Sequence, residues 1–241
     1  MSTTAKLGMN YTGMQMSPKD SEKLMDAVNE VLPDVPGDEG ALASERGAMV
    51  FEADRIGSVA LPGSAKGMLK SGLDKLRGKS PELLIDKLGE RLAFERTGVR
   101  LYEAVLAKAS VLEFGDADDL TGVFKQIRDE EAEHMTVLVE ALEHLGADPT
   151  SQTPCADVAG VTAMGVMQVL TDPRTNLAQS LNALLTVELT DNAAWELLID
   201  LAEAAGHDGI SQSFQLPLAQ EREHLVKIKS LLKRELIRDV A

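Results

Sequence analysis

The chain has 241 residues, 44% of them hydrophobic and 26% charged, with a formal net charge of −15. That length suits one large domain or one domain with an appendage, and the composition is ordinary for a globular protein. The negative charge argues against a nucleic-acid or anionic-membrane partner, which would need basic patches, and the one cysteine, Cys155, excludes a disulfide framework, a paired redox motif and a four-cysteine metal site.

No apolar run is long enough to span a membrane. The start, MSTTAKLGMN, lacks the apolar stretch of a signal peptide. A reducing cytoplasm is the simplest expectation, with Cys155 inert. Aromatic content is low, at 3%, and helix-favouring residues are plentiful, so an all-α chain is expected.

Residues 1–79 are expected to form a partly helical N-terminal extension. Helical candidates lie at 18–31 and 39–53, and Pro33, Pro36, Gly37, Pro62 and Gly63 interrupt the rest. A domain over residues 80–241 follows. Ser80-Pro81-Glu82 reads as a helix start: a capping hydroxyl, a proline at the first helical position and an acid in the first turn. Helix A should reach about residue 112. After an acidic turn, helix B should run from about 118 to 145 and stop at Gly146.

A long crossover over 147–173 comes next, with a short helical candidate at about 156–170. Helix C is expected over about 174–205, ending at Gly206, and helix D over about 209–238. Pro217 should kink helix D or leave one carbonyl free. Two helical hairpins joined by a long crossover make a four-helix bundle.

Each of the four long helices carries an apolar stripe that an acid interrupts. The stripes read Leu88, Leu92, Glu95, Val99, Tyr102, Leu106 on A, and Phe124, Ile127, Glu131, His134, Leu138 on B. They continue as Leu184, Glu188, Asp191, Trp195 on C and Leu218, Glu221, His224, Ile228 on D. A lone buried carboxylate is costly, and four converging ones would repel each other, so a bound cation cluster is the economical resolution. Measured along each hairpin from its turn, the acids sit at heights that agree within roughly 6 Å. Glu and His three residues apart point the same way. Oxygen ligands with imidazole suit iron, and also manganese, better than a thiolate-preferring metal.

Other readings are structural. His144 and His207 sit at helix ends, where a histidine complements the helix dipole. Tyr102 and Trp195 read as packing residues, with electron relay as the alternative. The methionines read as core filler, and Glu130, Glu133 and Glu223 as solvent-facing acids or ones that adjust the site.

The set Glu95 (FERTG), Glu131 and His134 (EEAEH), Glu188 (TVELTDNAAWE) and Glu221 and His224 (EREHL) resembles the ferritin-like di-iron carboxylate superfamily over about residues 80–238. Within it, the rubrerythrin-like group is the nearest in character. The resemblance implies two irons bridged by Glu131 and Glu221, Glu95 and Glu188 as terminal ligands, one histidine on each iron, and dioxygen or peroxide as the oxidant. Asp191 matches the extra helix-C acid of rubrerythrins. It is either a seventh ligand, a hydrogen-bond partner of a ligand histidine, or a helix-surface acid.

The chain departs from rubrerythrins proper in lacking the cysteines of a rubredoxin-type site, which implies an external electron donor. The expected function is therefore activation or reduction of dioxygen or peroxide at a carboxylate-bridged metal pair, in a homodimer. The alternatives are a di-iron oxygenase acting on an organic substrate, and iron oxidation and storage in a ferritin-type assembly.

Overall fold

The structure is a computed structural model that describes residues 17–31, 39–60, 81–111 and 117–240, and the regular elements among them are helices. The expected boundary between residues 79 and 80, the capping Ser80 and residues 114–116 of the acidic turn lie outside the described residues.

The chain divides into two units, Met1–Arg55 and Ile56–Ala241. The first holds α1 (Pro18–Glu30) and α2 (Glu39–Glu52), and neither helix contains a buried residue. The second holds α3 (Pro81–Ala109), α4 (Ala117–Leu145), α5 (Pro154–Thr171), α6 (Leu177–Ala204), α7 (Asp208–Ser213) and α8 (Gln215–Val240).

Helix ends follow the local chemistry. Gly146 and Gly206 have φ of 81° and 79°. Each closes a helix with paired bonds back to the last turn: Gly146 N–H donates to the Glu143 carbonyl and Ala147 N–H to Leu142, while Gly206 and His207 do the same to Glu203 and Ala202. Asn176 and Gln179 bond reciprocally at the start of α6. Helix D of the sequence reading is broken rather than merely kinked. It appears as α7 and α8 with Phe214 between them, because Pro217 has no N–H for the Ser213 carbonyl.

Helices α3 and α4 pack as one hairpin and α6 and α8 as another. Helix α5, in the crossover, lies against α3 and α6. The core is split in two. One apolar cluster includes Leu88, Leu92, Leu138, Leu198 and Phe214, and the other includes Leu101, Phe124, Leu181, Leu184 and Ile228. On α4, α6 and α8 the stripe acids fall between residues of the two clusters, and on α3 Glu95 follows directly on Phe94 of the second.

One stripe is displaced. On α3 the core face after Glu95 runs through Gly98, Leu101, Tyr102 and Val105, while Val99 and Leu106 are only half-buried. The methionine reading also needs correction. Met135 and Met167 pack against the core, but Met25, Met49 and Met164 are exposed.

Candidate metal centre

Between the two apolar clusters lies a layer of buried ionisable side chains. Glu95, Glu131, Glu188, Asp191, Glu221 and His224 each have 0% exposure, and His134 has 1%. Helix α3 supplies Glu95, α4 Glu131 and His134, α6 Glu188 and Asp191, and α8 Glu221 and His224. All seven sequence-derived candidates therefore converge in one place.

Two overlapping groups form there. Glu95, Glu131, His134 and Glu221 each bring one potential ligand atom to within 4.8 Å of the others, and Glu131, Glu188, Glu221 and His224 do the same. Glu131 and Glu221 belong to both groups. Asp191 belongs to neither.

The histidines face the acids through Nδ1. His134 Nδ1 lies 3.0 Å from Glu221 Oε1 and 3.4 Å from Glu95 Oε2. His224 Nδ1 lies 3.4 Å from Glu221 Oε2 and 3.8 Å from Glu188 Oε2. The far nitrogens are held from behind: His134 Nε2 is 3.1 Å from Gln220 Oε1, and His224 Nε2 is 2.6 Å from Glu130 Oε2. With Nε2 donating, each ring in its neutral form directs the Nδ1 lone pair into the space between the carboxylates.

The terminal glutamates are held crosswise. Trp195 on α6 donates its Nε1–H to Glu95 Oε1 on α3 at 3.0 Å. Tyr102 on α3 donates its hydroxyl to Glu188 Oε1 on α6. Both aromatics are thus partners of the site rather than packing residues alone. Asn192 joins α6 to α8 by donating to the backbone carbonyls of Glu188 and Glu221, each at 2.9 Å.

Besides Asn192 and Gln220, two participants escaped the sequence reading. Arg91 is 3% exposed. Its Nε lies 2.8 Å from Glu95 Oε1, and its Nη2 pairs with Asp191 Oδ1. Asp191 is therefore the partner of a buried arginine, neither a surface acid nor the partner of a histidine. An arginine four residues before a glutamate reads as a surface helical pair, and only the tertiary fold shows that it points inward. The other participant is Gly98. A Cβ there would lie 2.9 Å from Glu131 Cδ and closer still to Oε2, so the carboxylate occupies the space a side chain would fill.

The electrostatics are those of acids crowded together in a buried layer. Burial pushes the Glu131 carboxyl well above the ordinary range, reinforced by the charges of Glu221 and Glu95. Burial and Glu221 push Glu188 up to about 8. Burial also pushes Asp191 up, against the pull of Arg91. Glu221 goes the other way: burial opposes its charge, but the imidazoles of His134 and His224 close to its oxygens outweigh that and hold it at about 2. His134 rises to about 10, since Glu221 and Glu95 outweigh the burial that disfavours its charge.

The donor set fits a pair of divalent cations. Both oxygens of Glu131 and of Glu221, one oxygen each of Glu95 and Glu188, and both histidine Nδ1 atoms are buried with no hydrogen-bond partner. Buried polar atoms are rarely left so, and these all face one space.

Comparison with known proteins agrees with this architecture. A family model described as a domain of unknown function, DUF892, matches residues 79–241, and the chain belongs to that family. A comparison with curated proteins found no match. The E. coli stress protein YciF is 18% identical, with a TM-score of 0.54 over 65% of this chain and 96% of that one. A dodecameric thioferritin, the bacterioferritin-related protein of Bacteroides fragilis, is 20% identical, with a TM-score of 0.53 over 70% of this chain and 95% of that one. A ferritin-like, diiron-carboxylate protein of Bacillus anthracis is 19% identical, with a TM-score of 0.49 over 62% of this chain and 94% of that one. The fold is a ferritin-like helical bundle.

Proposed function

We propose that this member of the DUF892 family holds two metal ions, iron by preference over manganese, and uses them to activate or reduce dioxygen or peroxide. The observation that carries the reading is the pair of four-residue groups sharing Glu131 and Glu221. Glu95 and His134 would complete one metal position, Glu188 and His224 the other, and the shared glutamates would bridge them. Carboxylate oxygens with imidazole favour iron or manganese. When bound there, a redox-active metal pair would supply the electrons that reduce a small oxidant, to be replaced by an external donor.

The chain's own residues hold the geometry. Gln220 and Glu130 fix the imidazole tautomers, Tyr102 and Trp195 orient the terminal carboxylates, and Asn192 keeps α6 and α8 in register. The apolar clusters on either side keep the layer dry. Arg91 stands between Glu95 and Asp191 inside it, one cation shared by two carboxylates.

The cavity that reaches Arg91 between α3 and α6 measures about 20 Å³ and is lined by Lys87, Glu90, Ala194, Leu197, Leu198 and Leu201 besides. That is room for a water-sized molecule, and it is lined by Arg91 but by none of the seven acids and histidines of the centre. Cys155 takes no part: burial and a bond to Asp86 push its thiol up to about 11, so it is a poor nucleophile. No helix among the described residues is long and apolar enough to cross a membrane. We read the protein as cytoplasmic, supplied by an external electron donor, and as a homodimer. Iron storage in a larger assembly, suggested by the dodecameric relative, is the reading that light scattering would have to support.

Metal analysis after purification from iron-replete cells should give about two ions per chain, the number of ligand groups found. Glu131→Ala should lose both, because it belongs to both positions. A chain that stays metal-free and resists loading would end this reading. Faster reoxidation of the reduced protein by peroxide than by dioxygen would mark peroxide as the substrate.

A further inference from the structure

The two halves of the centre are related by a repeat that shows in their hydrogen bonds. The residue preceding each shared glutamate bonds the opposite histidine: Glu130 on α4 to His224, and Gln220 on α8 to His134. The aromatic seven residues after each terminal glutamate serves the other terminal glutamate.

The repeat is broken at chosen points. Behind His224 stands a carboxylate, at 2.6 Å, and behind His134 a neutral amide, at 3.1 Å. Glu188 Oε1 accepts from the neutral Tyr102 hydroxyl. Glu95 Oε1 accepts from Trp195 and is also held by the Arg91 cation at 2.8 Å. At the repeat position of Arg91, four residues before Glu188, stands Leu184.

Both differences act in one direction. A carboxylate behind an imidazole raises its basicity as a ligand more than an amide does. A guanidinium on a carboxylate oxygen draws off the charge that a metal would use. Resting on the metal reading above, we propose that the two positions are unequal by construction: a divalent cation binds first and more tightly at Glu188 and His224, and second at Glu95 and His134. Glu130 is the positioning residue that sets the order, acting through His224.

The experiment is a titration of the metal-free full chain with Co²⁺ under nitrogen, followed by calorimetry and by the visible absorption of the bound ion. Two steps should appear, separated by on the order of tenfold or more in affinity. His224→Ala should remove the tighter step and His134→Ala the weaker one. Glu130→Gln should weaken the tighter step by about 10–100-fold, the usual range for losing a partner behind a ligand. Gln220→Glu should strengthen the weaker step, and the double exchange should bring the two together. Glu130 and Gln220 are both half-buried, which keeps the exchange tolerable to the fold. Two ions bound in equal steps, a tight step that survives His224→Ala, or a Glu130→Gln variant with unmoved steps would each overturn this inference while leaving the metal reading intact. No Co²⁺ uptake at all would overturn both.

Discussion

Arg91 and Gly98 show how single residues set the terms of the centre. Arg91 is a buried cation between Glu95 and Asp191. Removing one partner of such a set strands the others in a low-dielectric interior. Arg91→Met should therefore lower the stability of the metal-free protein by about 3–5 kcal/mol, read from urea unfolding, with Arg91→Lys losing less. Gly98→Ala tests a different property. Helix propensity alone would make the alanine mildly favourable, but its Cβ would lie 2.9 Å from Glu131 Cδ. Metal content should fall while the helical circular dichroism stays unchanged. A Gly98→Ala protein that loads two ions normally would mean that the Glu131 carboxylate is not needed in its present place. The acids were legible in the sequence because a charge in an apolar stripe is conspicuous. Arg91 and Gly98 were not, since an arginine one turn before a glutamate and a glycine in a helix each have a common surface explanation.

At the level of the element, the crossover helix α5 shows what periodicity conveys and what it omits. The pattern anticipated a helix at about 156–170, and it runs Pro154–Thr171. The face it docks on was hidden, because docking depends on single small residues on another helix. Thr153, which caps α5, sits over Gly89 of α3, where a Cβ would meet Oγ1 at 2.6 Å and Cγ2 at 2.7 Å. Asp86 of α3 accepts from the Cys155 N–H at 2.9 Å. At the other end, Lys108 of α3 donates to the carbonyls of Val169 at 3.3 Å and Asp172 at 3.0 Å, tying down the exit of α5. Gly89→Ala should therefore cost about 1–3 kcal/mol as an overpacking change. Gly160→Ala and Gly165→Ala, on exposed faces of α5 with nothing within 4 Å of an added Cβ, should be neutral or stabilising by about 0.5–1 kcal/mol. Urea midpoints of the three variants decide it, and a Gly89→Ala protein as stable as the other two would mean that α5 is not seated on α3 in this way. The break at Phe214 has the same lesson in reverse: Pro217 made a disturbance legible, but whether the helix bends or splits depends on how the neighbouring turn packs.

For the whole molecule, the centre couples metal, proton and folding. Without metal, Glu131, Glu188, Asp191, His134 and His224 all hold protons more tightly in the folded chain than in the unfolded one, and Glu188 and His134 illustrate the size of the effect. Glu188 moves from an ordinary 4.5 to about 8, and His134 from 6.5 to about 10. A group raised on folding contributes its full stability below its unfolded value and loses it as pH rises through its folded value. The Glu188 contribution is therefore complete below pH 4.5 and gone above about 8, and that of His134 is complete below 6.5 and gone above about 10. Glu221, held at about 2, has the opposite sign: its contribution is present above 4.5 and lost only as pH falls through 2, outside this window. The metal-free protein should melt at progressively lower temperature between about pH 5 and 10. Metal ligands must shed these same protons, so affinity rises over the same interval. At a thousandfold excess over its dissociation constant, a metal adds about 4 kcal/mol, or roughly 8–16 °C for a domain of this size. The gap in melting temperature between loaded and metal-free protein, measured by calorimetry under nitrogen with Fe²⁺, should widen as pH rises. A gap that narrows with pH would mean that the bound metal does not displace protons from Glu188 and His134, and would remove both from the ligand set.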